Sequence, residues 1–470
     1  MRRWPTVLAT VVLVPGCLEG RYECRATDEC ARGGVQGSCE PSGFCSFPDP
    51  SCAPTARRYG EFADAVHRDR CVDDDAGGGC IRAVAAGGAH SCLATREGAV
   101  WCWGANRAGQ LGNGSFATAA APVVVTDDAG RGFGDAADVD AGLDFTCARR
   151  LDGTAWCWGS GRRLGGGDGL GNAPGNADDQ PHPRQVRTAG GALDGVVQVS
   201  AGASHACAVR VDGTVWCWGA GDAGQLGDGG AIEQGFAAPV RRTGGAALDG
   251  ASLVTAGAGF SCAARSMGVW CWGSNMFAQL GQPGGPASSA NPVVALASDA
   301  IAIAAGGGHA CAIEPDGSAW CWGRAEDGQI GAPGLGGVGV APVRVQSAGG
   351  GALAGARSVA AGEAHSCAST GDGHVRCWGA GDSGQIGEPG RASTEVAIDV
   401  LAASSGAALT DAIAVTAGVD DYHAAGGRHS CARGRDAVWC WGAGEGGALG
   451  DGRMQGSAAA VAVDLSSVCR

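Results

Sequence analysis

The sequence predicts an all-β repeat protein, a propeller or a solenoid, preceded by a small Cys-rich head stapled by disulfides. Three observations carry this. One unit recurs seven times: a Cys, a short hairpin-like stretch, a second Cys nine or ten residues later, then Trp-Gly. The copies are Cys92/Cys102, Cys147/Cys157, Cys207/Cys217, Cys262/Cys271, Cys311/Cys321, Cys367/Cys377 and Cys431/Cys440. Their first Cys residues step by 55, 60, 55, 49, 56 and 64 positions, a period of ring-closed or stacked units rather than of the three ordinary domains that 470 residues suggest. Finally, most of the 23 Cys fall into pairs or into one short stretch near the N-terminus, the pattern of an exported disulfide protein.

The N-terminus reads as an export signal over residues 1–16. Arg2 and Arg3 form a basic start, Val7 to Val14 a short apolar run, and Val14-Pro15-Gly16-Cys17 lies where cleavage would fall. The run is too short to cross a bilayer as a helix. Cys17 after a small residue is similar to a bacterial lipobox, so the expectation is acylation of Cys17 and an outer-membrane or cell-surface lipoprotein, with simple secretion as the alternative. Residues 17–80 are then a lipid-anchored head and linker. Its Cys24, Cys30, Cys39, Cys45, Cys52 and Cys71 sit among Gly, Pro and polar residues with too little apolar surface for a core. Three bridges would staple it, and sequence does not choose their connectivity. With Cys17 lipidated and fourteen Cys in the repeats, Cys80 and Cys469 remain; these are expected to pair and to clasp residues 81–470 into a ring.

Each repeat contains a hairpin. Asp152-Gly153, Asp212-Gly213, Asp316-Gly317 and Asp372-Gly373 separate two strand-like runs, and Glu97-Gly98 replaces them in the first copy. Two Cys with nine residues between them face each other only across an odd loop, such as three residues with Gly153 at the bulge. The fourth and seventh copies have eight residues between their Cys and no Asp-Gly, which calls for an even loop. In the Trp-Cys-Trp triplets (101–103, 156–158, 216–218, 270–272, 320–322 and 439–441) the two Trp share a face and the Cys takes the other. A recurring Trp pair should pack sheet on sheet rather than serve as an aromatic ligand platform. Arg376 replaces the first Trp in the sixth copy, marking that junction as unusual.

The strings VAAGGAHSCLATREGAVWCWGANRAGQLGNG (84–114) and VSAGASHACAVRVDGTVWCWGAGDAGQLGDG (199–229) resemble repeats of the regulator-of-chromosome-condensation family. The likeness runs over about residues 81–466 and implies a seven-bladed β-propeller of four-stranded blades. The Cys pairs depart from intracellular members and fit an exported variant, distantly similar to β-lactamase-inhibitor propellers. Because the seventh repeat begins only 39 residues from the end, the tail 458–465 is expected to share a closing blade with N-terminal strands. The insertion VDDYHAAGG makes the first strand of that last unit the least defined.

Site candidates are weak. His90, His205, His309, His365 and His429 each stand two residues before a first Cys, with Phe145 and Phe260 in the other two copies. A His ring could bind metal, but replacement by Phe favours a structural role, and no metal is expected. Gly334 to Gly339 matches GxGxxG without a following helix, a chance match among 87 Gly. Asp73-Asp74-Asp75 and Asp127-Asp128 read as solvated linker without partners. No Ser-His-Asp set, HExxH, phosphate loop or CxxC zinc spacing occurs, so no enzyme and no cofactor are expected. Binding is expected on the variable loops after Gln-Leu-Gly: 159–183, which holds Arg162, Arg163, Asp178 and Asp179, then 227–239, 281–292 and 331–342.

All 33 basic residues are Arg, and a net charge of −14 argues against a nucleic-acid partner. The expected function is a lipid-anchored extracytoplasmic binding scaffold: a monomer that meets the membrane only through its lipid and recognises a protein or glycan of unknown identity. The alternatives are a polysaccharide-acting enzyme with its site in the central channel, or a surface protein with no discrete ligand.

Overall fold

A computed structural model describes residues 79–161, 179–266, 268–337, 339–420 and 427–469, together with five short strands nearer the N-terminus. The chain divides into two units, Met1–Gly77 and Gly78–Arg470. In the first, Ala31–Arg32 pairs antiparallel with Val35–Gln36, and Ser38–Cys39, Cys45–Pro48 and Arg57–Tyr59 form a three-stranded sheet. The register of that sheet sets Cys39 opposite Cys45. The signal segment, Cys17, Asp73-Asp74-Asp75 and the remaining head Cys lie outside the described residues.

The second unit is a seven-bladed β-propeller. Every blade is one antiparallel sheet of four consecutive strands. Blade 1 consists of Ile81–Ala86, His90–Thr95, Val100–Gly104 and Ala119–Val124; the others occupy 136–185, 196–239, 251–296, 302–344, 356–399 and 414–462. Blade 7 is therefore built from C-terminal residues alone. Its last strand, Ser457–Ala462, pairs with Val438–Gly442 and not with any N-terminal strand, which corrects the expected shared closing blade. The chain has enough residues after Cys431 for a third and fourth strand, so no strand is exchanged across the junction.

Closure at that junction repeats the contacts of the other blades and adds a covalent link. Ile81, Leu93 and Trp103 of blade 1 pack with Cys431, Val438 and Leu449 of blade 7. The Cys80 N–H donates to Asp436 Oδ1 at 2.9 Å, and a Cys80–Cys469 disulfide spans 389 residues of sequence.

The hairpins explain the Cys spacing. In blade 2, the Arg150 N–H donates to the Thr154 carbonyl, leaving the three-residue loop Leu151-Asp152-Gly153 with Gly153 at φ 79°. In blade 7, the Gly434 N–H donates to Ala437, leaving two residues; in blade 4, Arg265 pairs with Gly268, again leaving two. In every blade the second strand sets its Cys directly opposite that of the third. The facing pairs are Cys92 and Cys102, Cys147 and Cys157, Cys207 and Cys217, and Cys262 and Cys271 in blades 1 to 4. Blades 5 to 7 repeat this with Cys311 and Cys321, Cys367 and Cys377, and Cys431 and Cys440. All seven pairs are bridged, with Cα atoms 4.0 or 4.1 Å apart. Such close pairs are the narrow rungs of an antiparallel ladder.

The two Trp of each triplet divide the work. The second (Trp103, Trp158, Trp218, Trp272, Trp322, Trp378 and Trp441) is fully buried between blades. Trp158, for example, packs on Leu111 and Val125 of blade 1. Truncating such a residue costs about 3–5 kcal/mol. The first Trp is only partly buried, and in four blades it lies under a guanidinium: Arg150 over Trp156, Arg210 over Trp216, Arg265 over Trp270 and Arg344 over Trp320. In blade 6, Arg376 takes the Trp place and instead pairs with Asp372 and Asp399, each at 3.0 Å.

The first strands ring the axis, and the Ala-Gly that ends each one follows from close packing there. A Cβ on Gly87, Gly142, Gly202, Gly257 or Gly306 would stand 2.3–2.6 Å from the backbone carbonyl oxygen of the next blade's glycine, and one on Gly418 would stand 2.1 Å from that of Gly87.

Candidate functional site

Three places could carry function: the His ring, the axial channel and the loop face. The repeat Cys belong to none of them. Cys102, Cys157, Cys217, Cys271, Cys321, Cys377 and Cys440 are fully buried inside their blades and consumed in bridges, which leaves them no thiolate for chemistry or metal binding.

The His sit at the blade junctions, each bonded to the next blade. His90 Nε2 meets Thr146 Oγ1 at 2.9 Å, His205 meets Ser261 at 2.7 Å, His309 meets Ser366 at 2.8 Å, His365 meets Ser430 at 2.7 Å, and His429 closes the ring on Ser91 at 2.8 Å. Each of these hydroxyls donates onward to a backbone carbonyl of the preceding blade: Gln110, Gln225, Gln329, Gln385 or Ala448. A hydroxyl that donates onward must accept from the imidazole, so Nε2 carries the proton. Burial holds the imidazoles of His90, His309 and His365 down to about 3, and those of His205 and His429 to about 4.

The two Phe copies complete this logic. Phe145 of blade 2 is followed in blade 3 by Ala206, and Phe260 of blade 4 is followed in blade 5 by Ala310, at the position where the His-bearing junctions have Ser or Thr. A ring that cannot donate faces a methyl that cannot accept. Sequence reading noted the Phe and missed the compensating Ala one repeat later. Among the described residues no group of three or more His, Cys, Asp or Glu could hold a metal ion.

The same carbonyls fix the loops after Gln-Leu-Gly. Gln110 O also accepts Trp158 Nε1–H at 2.9 Å, and Gln225, Gln279, Gln329 and Gln385 accept Trp272, Trp322, Trp378 and Trp441 in the same way. The Gln side chains turn back on their own loops; Gln110 Oε1 accepts Ala108 N–H at 2.9 Å. In blade 1, Asn106 ties the loop at three points: it accepts from Leu111 N–H and donates to the carbonyls of Ser115 and Ala117. Asn275 does likewise in blade 4 with Leu280 and Pro286.

These loops are rigid at the base and exposed at the tip. Phe116, Leu335 and Met454 stand four residues after the motif's last Gly in blades 1, 5 and 7, and Ile232 five after it in blade 3; they are 52, 43, 52 and 69 % exposed. Met276, near the start of the blade 4 loop, is 72 % exposed. Of the residues expected to bind, Asp179 is partly buried just before the last strand of blade 2, while Arg162, Arg163 and Asp178 lie outside the described residues. Gly334–Gly339 runs into the strand Val340–Arg344 and opens no helix.

Asp127 and Asp128 correct a reading of the sequence. They do not lack partners: Asp127 pairs with Arg131 at 2.7 Å and Asp128 with Arg184, and these guanidinium groups pull both carboxyls below their ordinary range. The partner of Asp128 lies 56 residues away, beyond any local pattern.

The axial channel holds a cavity of about 160 Å³ lined by the first strands of all seven blades. Leu143, Ala203 and Val419, from turns after first strands, form a buried apolar cluster at the end of those strands. Two carboxyls face the axis on one strand, Asp138 and Asp140, neither of which drew notice in the sequence. Their signal was there: Asp140 stands where the other blades have Ala85, Ser200, Thr255, Ala304, Ala360 and Thr416. Burial, with Asp138 nearby, pushes Asp140 up to about 7. Its Oδ2 accepts Ala201 N–H at 2.9 Å, just as Ser200, Thr255 and Thr416 accept N–H groups of Ala256, Ala305 and Ala86. These groups staple blade to blade. A cavity of this size is well below the roughly 300–1,000 Å³ typical of a small-molecule site.

No helix among the described residues is long and apolar enough to cross a membrane. Comparison with known proteins agrees with the blade pattern. Residues 56–418 match the family model for the RCC1-like domain. The chain is 34% identical over 206 residues to the E3 ubiquitin-protein ligase HERC2 of Homo sapiens, covering 42% of this chain and 4% of that protein. It is 31% identical over 253 residues to the mitochondrial RCC1 domain-containing protein RUG3 of Arabidopsis thaliana, covering 50% and 53%. It thus spans at most about half of these relatives. Among solved structures, Prp20p of Saccharomyces cerevisiae, studied for binding Gsp1p and histones, superposes with TM-score 0.58 at 22% identity, over 77% of this chain and 85% of that one. Yeast Prp20 bound to Kap60 superposes with TM-score 0.60 at 19% identity, over 89% and 95%. The fold is shared with both, and the chain belongs to the family of RCC1-like domains.

Proposed function

We propose that this protein is an extracytoplasmic binding scaffold, anchored by lipid on Cys17, that recognises a protein partner through the loops between third and fourth strands and performs no catalysis. The observation that carries this reading is the set of exposed apolar side chains, Phe116, Ile232, Leu335 and Met454 near the loop tips and Met276 nearer a loop start, on loops whose bases are held by Gln side chains in blades 1, 3, 4 and 5. Isolated apolar residues on a surface mean little; recurrence at one loop position in several blades builds a patterned surface. Eight disulfides in the propeller support an oxidising compartment, where such bridges persist. Prp20, a protein that shares this fold, is solved bound to Kap60, which supports a protein as the partner.

The test is photo-crosslinking in the native envelope, with the chain carrying a crosslinker at Ile232, alongside fractionation of Cys17→Ser. The expected outcome is a discrete crosslinked protein and release of Cys17→Ser from the membrane fraction. Turnover of a polysaccharide without any crosslinked protein would overturn the reading.

A further inference from the structure

The two faces of the propeller differ in charge. Successive antiparallel strands reverse direction, so connections after first and third strands emerge on one face, and hairpins and inter-blade connections on the other. Among the described residues, the first face and its strand ends carry fourteen carboxylates, all but the buried Asp420 at least partly exposed, and only five Arg, namely Arg107, Arg324, Arg391, Arg428 and Arg453. The second face carries sixteen of each, with Asp138 and Asp140 left to the channel. The charge imbalance of the described propeller therefore lies on the first face. Four of its Arg are already engaged with carboxylates: Arg324 with Glu326, Arg391 with Glu388, Arg428 with Glu363 and Arg453 with Asp451. Phe116, Ile232, Met276, Leu335 and Met454 all stand in loops of this same face.

We infer that this face docks a basic amphipathic segment of a protein partner, whose apolar side chains meet the loop tips and whose Lys or Arg meet the carboxylates between them. This identifies the partner's chemistry and rests on the scaffold reading above. Excess negative charge raises the encounter rate with a cation and repels acidic surfaces, while a few apolar contacts supply most of the affinity. A neutral glycan would gain nothing from the charge, and an anionic lipid surface would be repelled by it.

The experiment uses the full oxidised chain and a synthetic Leu/Lys helix with Leu at i, i+3, i+4 and i+7, compared with its Leu/Glu and Lys/Ser counterparts. Binding is followed by fluorescence anisotropy at low and high salt. The Leu/Lys peptide is expected to bind, and the others to bind at least tenfold more weakly. The triple variant Phe116→Ser, Leu335→Ser, Met454→Ser should weaken binding at least tenfold with an unchanged melting temperature. Leu151→Ser with Ile413→Ser, on the opposite face, should leave it unchanged, and added salt should weaken it. Equal binding of the Leu/Glu peptide, or equal binding by the triple and control variants, overturns the inference. A native partner that crosslinks at Ile232 through an acidic or uncharged segment overturns it too, while leaving the scaffold reading in place.

Discussion

Removing the Ser366 hydroxyl should be more harmful alone than in company with a second change. In the native junction between blades 5 and 6, His309 Nε2–H donates to Ser366 Oγ at 2.8 Å, and Ser366 donates to Gln329 O at 3.0 Å. Both side chains are fully buried. In Ser366→Ala, Gln329 O keeps the Trp378 indole at 2.9 Å, but the imidazole N–H has no acceptor. A buried donor without a partner costs about 1–3 kcal/mol. In His309→Phe, the ring edge meets a hydroxyl whose lone pairs it cannot use, at a comparable cost. The double variant reproduces the natural pair Phe260 with Ala310, where Trp322 still bonds Gln279 O. It should therefore recover most of the loss, with a coupling of about 1–2 kcal/mol in a double-mutant cycle. Denaturant midpoints of the four proteins, with disulfides intact, measure it. Additive effects, within about 0.5 kcal/mol, would refute the relay.

Other outcomes follow from the same structure. Cys80→Ser with Cys469→Ser should destabilise more than loss of any repeat bridge, Cys92–Cys102 for instance: a loop of 389 residues is worth about 6 kcal/mol in the chain-entropy limit, against about 3 kcal/mol for ten residues, and thermal unfolding of the two variants compares them. Stability should fall in acid. The unfolded chain takes up protons near pH 6.5 at His90, His205, His309, His365 and His429, whereas the buried imidazoles resist protonation until about 4 to 3, so stability drops as pH falls through that window. Asp140 opposes this: raised to about 7, it is protonated in the fold before the unfolded chain, and its contribution is lost as pH rises from the ordinary carboxylate range through 7. Denaturant midpoints against pH should show the acid loss in the native chain and a steeper rise towards neutral pH in Asp140→Asn, where nothing opposes the His contribution. Gly202→Ala would set a Cβ 2.3 Å from the Gly257 carbonyl oxygen and should cost about 1–3 kcal/mol in the same assay.

Blade number, hairpin parity and bridge pattern were legible because all three are local. Paired Cys at fixed spacing report the register of two adjacent strands, and Asp-Gly reports the odd loop between them. What escaped the sequence lies between blades. His90 meets Thr146 across 56 residues and His429 meets Ser91 across 338, distances that only ring closure makes short. The Phe145/Ala206 and Phe260/Ala310 exchanges encode those contacts, yet they become visible only when each repeat is aligned with the next. The closing blade was misjudged because a repeat pattern does not distinguish a ring closed by an exchanged strand from one closed by packing and a Cys80–Cys469 bridge. Asp138 and Asp140 carry no local signature, since a carboxyl among small residues acquires meaning only when seven first strands converge.

Non-reducing peptide mass mapping of the native protein tests the central claim, a covalently closed propeller folded in an oxidising compartment. The expected result is seven bridges within repeats, one peptide pair joining Cys80 to Cys469, and a lipid-bearing Cys17. Free thiols at Cys92, Cys207 or their counterparts, or a Cys80 bridged elsewhere, would contradict it.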